Sequence, residues 1–121
     1  MTRVLLADDS GTMRTIIRRS LEALGVRGAV EAPDGNQAVA LFKPGEYDLV
    51  LTDWNMPGKS GVEIVREIRS QDPSVPILMV TTETEPRVLD PVRKLGVLAV
   101  VEKAFPASVV SPLLDSLFGS P

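Results

Sequence analysis

Acidic residues stand where the apolar runs of this chain stop. Val4-Leu5-Leu6-Ala7 leads into Asp8-Asp9-Ser10, and Leu49-Val50-Leu51-Thr52 leads into Asp53, shortly before a Pro57-Gly58 turn. Two further apolar runs end on Thr81-Thr82 and on Glu102-Lys103. In open α/β sheets, ligands bind in the crevice beyond the carboxyl ends of the strands, so these residues would share one rim. Three carboxylates on one rim repel each other unless a cation sits among them. The chain has no histidine and no cysteine. Hard oxygen donors without nitrogen or sulfur point to Mg²⁺ or a similar ion rather than zinc. A lysine and a hydroxyl beside that ion would make a pocket for an anion such as a phosphoryl group.

The elements that must carry this rim alternate along the chain. Arg3 to Ala7, Gly28 to Ala32, Tyr47 to Thr52, Pro76 to Thr81 and Val97 to Val101 read as five short strands; the third and fourth are nearly all apolar, as strands buried on both faces are. Between them, Met13, Ile16, Ile17, Leu21 and Leu24 recur at helical spacing up to Gly25, with Arg14, Arg18 and Arg19 largely on the other side. Pro33-Asp34-Gly35 reads as a turn before a short helix marked by Ala38, Val39 and Phe42, and a further helix spans about Ser60 to Ser70. Pro86 to Leu95 has helical spacing with Pro91 inside it. At the carboxyl end, either a helix bends at Pro112 or a short one starts there with Ser111 as its cap. Strand and helix in alternation predict a single α/β domain over 1–121, a doubly wound five-stranded parallel sheet of flavodoxin-like order 2-1-3-4-5 with five helices in three layers. No internal repeat, linker or effector domain is expected.

Composition narrows the function. The chain has 121 residues, is 44% hydrophobic and carries a net charge of −3. That is enough apolar content for one core, and with no basic cluster it makes direct nucleic-acid binding an unfavoured reading. No signal peptide or membrane-spanning stretch stands out, so a cytoplasmic protein is expected.

Each residue alone has a plainer explanation. An Asp at a strand end is commonly a turn or helix cap, and capping of the first helix competes for Asp9 and Ser10. Lys103 alone would be a solvated charge, and Thr81 an ordinary β-branched strand residue. Their coincidence on one edge favours a functional set.

The ordered set also resembles a family. Val4-Leu5-Leu6-Ala7-Asp8-Asp9-Ser10, Glu31-Ala32-Pro33-Asp34-Gly35, Thr52-Asp53-Trp54-Asn55-Met56-Pro57, Gly61, Ile77-Leu78-Met79-Val80-Thr81 and Lys103 together resemble the response-regulator receiver domain of two-component signalling, in particular its CheY-like chemotaxis type. The resemblance implies that Asp53 accepts a phosphoryl group from a histidine kinase or phosphotransfer protein. It implies Mg²⁺ held by Asp9, Asp53 and the main-chain carbonyl of Asn55, with Asp8 acting mainly through water. Lys103 would pair with a phosphoryl oxygen and Thr81 would act as the switch hydroxyl. The chain would catalyse only its own phosphorylation and dephosphorylation, act as a monomer or weak dimer, and signal to an output protein the sequence does not name. Asn55 and Glu83 match the lifetime-tuning positions of the chemotaxis type and imply a short-lived phosphorylated state.

The chain departs from the family in four places. Ala104 replaces the proline that usually follows the lysine, Val100 stands where an aromatic signalling residue is common, and Pro91 and Pro112 interrupt the helices flanking the fifth strand. An unusual output surface is expected. A haloacid-dehalogenase-type phosphatase would need an acid two residues after its nucleophile, where Asn55 cannot donate a proton. A flavodoxin-like FMN protein would want hydroxyls where Asp8 and Asp9 stand. A degenerate receiver serving only as an interaction module is the remaining alternative, supported by Ala104.

Overall fold

A computed structural model describes residues 3–54, 56–81, 87, 90, 93–102 and 107–118. Five parallel strands, β1 (Val4–Ala7), β2 (Val30–Ala32), β3 (Leu49–Asp53), β4 (Ile77–Thr81) and β5 (Ala99–Glu102), form one sheet in the order β2-β1-β3-β4-β5. Four helices are described: α1 (Gly11–Ala23), α2 (Gly35–Leu41), α3 (Gly61–Gln71) and α4 (Ala107–Phe118). The helix expected between β4 and β5 lies mostly outside the described residues; Arg87, Asp90 and Arg93 are helical.

The apolar alternation of the strands builds two cores. Leu5, Ala7, Val50, Ile77 and Met79 face Ala38 of α2 and Ile64, Val65 and Ile68 of α3. Their chain neighbours Val4, Leu6, Leu49, Leu51, Leu78, Val80 and Val101 face Ile17 and Leu21 of α1 and Val110 and Leu114 of α4. A strand flanked on both sides must be apolar at every position, which is why β3 and β4 read as unbroken runs. Register then fixes the strand ends: Ala7 pairs with Thr52, Asp53 with Val80, and Thr81 with Glu102. The chain after β1, the end of β3 and the end of β4 therefore meet on one edge.

Three helix starts are capped by side chains. Ser10 accepts from Met13 N–H at 3.2 Å, Asp34 from Gln37 N–H at 2.8 Å and Ser60 from Glu63 N–H at 3.2 Å. Each such cap is worth about 1 kcal/mol. Asp34 and Gly35 are therefore the cap and first residue of α2 rather than a free turn. At the carboxyl end, α4 starts at Ala107 and runs through Pro112. Of the two expected arrangements, the short helix capped by Ser111 is not formed. Pro112 lies on the exposed side of α4, where the sacrificed backbone bond costs least.

Candidate functional site

The β1–α1 turn and the end of β3 bring three acids together. Asp8, Asp9 and Asp53 each offer a carboxylate oxygen, and these oxygens lie within 4.8 Å of one another. Asp8 and Asp53 are buried, 1% and 4% exposed, whereas Asp9 faces solvent. Capping does not account for the cluster, because Ser10 performs it and Asp9 is left on the rim. Asp8 is fixed from both ends. Its N–H donates to Ala32 O at 3.1 Å, tying it to β2, and its Oδ1 accepts from Ser10 N–H at 2.9 Å.

Asp53 is anchored by its neighbours. Trp54 N–H donates to Val80 O at 3.1 Å, and Gly61 N–H donates to Trp54 O at 2.9 Å. Gly61 opens α3 directly against this strand end; a Cβ there would sit 2.6 Å from Asp53 O and 2.9 Å from Met79 Sδ. Only glycine lets α3 begin that close to the carboxylate-bearing residue. The intervening loop is held against α2, where a Cβ on Gly35 would fall 2.5 Å from Lys59 O, and Lys59 Nζ is bound to Glu67 at 2.8 Å. That bond, chiefly, raises the Lys59 pKa above its ordinary value.

Thr81 is buried at the end of β4, beside β3 and opposite Glu102 of β5. Asn55, Thr82, Glu83, Pro91, Lys103 and Ala104 lie outside the described residues. Of the expected set, then, Asp8, Asp9, Asp53 and Thr81 occupy the same edge.

The donor set suits a hard divalent ion. Mg²⁺ takes oxygen ligands at about 2.0–2.1 Å and keeps several waters, so its coordination shell spans about 4 Å. Three carboxylates within 4.8 Å match that span with water completing the shell.

Two features escaped the sequence reading. Arg14 does not simply face solvent: its Nη1 donates to Asp8 O at 2.6 Å and its Nε to Glu31 at 3.1 Å. Spacing along α1 gave no sign of this, because both partners lie on other segments. Gly61 was visible as a marker of the resemblance, but its close approach to Asp53 O depends on how α3 packs.

A doubly wound sheet with a clustered acidic edge of this kind belongs to a definite class. Residues 4–113 match the family described as the response regulator receiver domain, and the chain belongs to that family. Within it, the chain is similar to chemotaxis protein CheY-3 of Vibrio cholerae, 36% identical over 118 residues and covering 96% of this chain and 91% of that protein. It is equally similar to chemotaxis protein CheY of Pseudomonas aeruginosa, 36% identical and covering 96% and 95%. Among solved structures, CheY4 of Vibrio cholerae superposes with a TM-score of 0.84 at 32% identity, over 98% of this chain and 99% of that one. The chain is thus a receiver domain of the CheY-type response regulators, a signalling class rather than a conventional enzyme. Among the described residues, no helix is long and apolar enough to cross a membrane.

Proposed function

We propose that this receiver is active in phosphotransfer: Asp53 takes a phosphoryl group from a phosphohistidine on a histidine kinase or phosphotransfer protein, and the resulting acyl phosphate switches partner binding. The observation that carries this reading is the convergence of Asp8, Asp9 and Asp53 oxygens within 4.8 Å. A carboxylate oxygen of Asp53 attacks phosphorus, the P–N bond breaks, and its electron pair leaves with the imidazole of the donor. Asp9 and Asp53 would hold Mg²⁺, with the carbonyl of Asn55 as a third protein ligand and Asp8 acting through water. Bound there, the ion would supply charge neutralisation for the transferring phosphoryl oxygens. Lys103 pairs with one phosphoryl oxygen, and the Thr81 hydroxyl donates to another. The added charge biases the loop after β4 between two positions. Asn55 and Glu83 give a phosphorylated state that decays quickly.

The similarity to chemotaxis proteins supports a place in a chemotaxis-type two-component pathway in the cytoplasm, acting through protein partners as a monomer or weak dimer. Incubation with Mg²⁺ and acetyl phosphate, followed by mass spectrometry, should find one phosphoryl adduct on Asp53 that disappears in Asp53→Asn and when Mg²⁺ is chelated. An unmodified chain under these conditions would leave an interaction-only receiver.

A further inference from the structure

The bonds to Ala32 and from Ser10 hold Asp8, and the peptide that leads on from it to Asp9 has a restraint of its own. Asp9 is the exposed member of the cluster and extends from a turn that must stay put while its carboxylate faces two others. The Asp8 carbonyl that begins this peptide is bound by a guanidinium. Arg14, one turn into α1, donates Nη1 to Asp8 O at 2.6 Å, and its Nε bonds Glu31 Oε1 at 3.1 Å. Glu31 belongs to β2, pairs in register with Leu6 of β1, and has its second oxygen 3.5 Å from Arg18 Nε. Arg18 in turn pairs with Glu22 at 3.6 Å.

We propose that Arg14 is a positioning residue for the cation site: anchored by Glu31, its guanidinium clamps the Asp8 carbonyl and so sets the peptide that presents Asp9. The inference rests on the phosphoacceptor reading above and deepens it. A planar peptide has one orientation once its carbonyl is fixed, and with it the direction in which Cα of Asp9 departs. The two-pronged geometry matters. Guanidinium can hold a carbonyl with one nitrogen and a carboxylate with another in a fixed plane, which a lysine ammonium cannot reproduce. A role through charge alone makes the opposite demand. A positive side chain near three carboxylates weakens attraction for a second cation, so removing it should tighten Mg²⁺ binding.

The sign of the effect therefore tests the proposal. Mg²⁺ titrations of the full chain, followed by Trp54 fluorescence and by calorimetry, should show affinity reduced about tenfold in both Arg14→Lys and Arg14→Met, the scale seen when groups that orient metal ligands are removed. Glu31→Asp, which keeps the negative charge but draws the carboxylate back from Arg14, should weaken binding by a smaller factor, whereas a role through charge alone leaves it unchanged; this variant carries the test if an Arg14 variant fails to fold by circular dichroism, and unchanged affinity in it would overturn the positioning role. Unchanged affinity in Arg14→Lys, or tighter binding in Arg14→Met, would overturn the positioning role while leaving the phosphoacceptor reading intact. A wild-type chain that binds no Mg²⁺ would overturn both, and the wild-type titration alone separates the two failures.

Discussion

The two edges of the sheet treat charge in opposite ways. At the carboxyl edge, three carboxylates crowd within 4.8 Å, and two of them are buried. At the amino edge, charges are matched as soon as they appear. Arg3 N–H donates to Asp48 at 2.8 Å, Asp48 N–H returns a bond to Arg3 O at 2.8 Å, and the Arg3 guanidinium lies 5.0 Å from the centre of the Tyr47 ring. Arg69 reaches from α3 to three carbonyls, of Asp72, Val75 and Gly96, at 3.2, 2.7 and 2.9 Å, and so ties the entries of β4 and β5 to the end of α3. Asp72 accepts bonds from Ser74 N–H, Ser74 Oγ and Val75 N–H. One edge gathers like charges, and the other pairs opposite charges and ties carbonyls across segments. Substitutions at the two edges should consequently move stability and function in different directions.

The largest contrast is expected at Asp53. Asp53→Asn should lose phosphorylation entirely, because the amide has no nucleophilic carboxylate oxygen. Relief of repulsion among the three clustered carboxylates should at the same time stabilise the Mg²⁺-free fold. Thermal unfolding with and without Mg²⁺ checks both halves: the wild type should gain stability as the ion exceeds its dissociation constant, and the variant should gain much less. At the opposite edge, Arg69→Met should destabilise by about 2–3 kcal/mol, since the carbonyls it served lose a charged donor. Urea unfolding would measure that loss, and Mg²⁺ affinity should remain within about twofold, because additivity holds between distant sites. A large Mg²⁺ effect in Arg69→Met would erase the division between the edges.

Gly61 sits where the two demands meet. Gly61→Ala places a methyl 2.6 Å from Asp53 O and 3.0 Å from Trp54 Cα. Met79 Sδ can yield, but the backbone carbonyl cannot without moving the end of β3. A cost of about 1–3 kcal/mol is expected, as for overpacking in a close-packed interior. Phosphorylation by acetyl phosphate should slow as well, and the Trp54 emission should shift. Full-rate phosphorylation with normal stability would show that α3 has more freedom at its start than the packing allows.

What could be read from the sequence follows the same division. The carboxyl edge was legible because its signal is local: an apolar run that stops on Asp8, Asp53 or Thr81 announces a strand end, and the fold class brings those ends together. The parallel sheet and the buried strands β3 and β4 followed from alternation and from unbroken apolarity, while the strand order was the one expected of a flavodoxin-like fold. The amino edge was silent, since Arg3 with Asp48 or Arg69 with Gly96 are distant in sequence, and polar residues at such positions look like any solvated turn. Arg14 was misjudged for that reason, counted with the exposed face of α1 although it folds back onto Asp8 O. The start of α4 was left open between two arrangements for a different reason. Pro112 weighs against a continuous helix on local propensity, yet Val110 and Leu114 gain enough from burial under β1, β3 and β4 to carry the helix through it.

The smallest expected effect belongs to the amino edge and depends on pH. Asp72 has its carboxyl pKa held below the ordinary 3.8, first by the Ser74 backbone N–H, with the Ser74 hydroxyl and the Val75 and Gly45 N–H groups adding to it against partial burial. A carboxylate whose folded pKa is depressed stabilises the fold above its unfolded pKa, and that contribution is lost as pH falls through the lower folded value. Asp72→Asn should therefore be modestly less stable than wild type near neutrality, with the difference shrinking below about pH 4 as the wild-type carboxyl takes up its proton. Paired unfolding curves from acid to neutral pH test this directly. A difference that stayed constant across the range would assign the role of Asp72 to its hydrogen-bond geometry, which asparagine partly keeps, rather than to its charge.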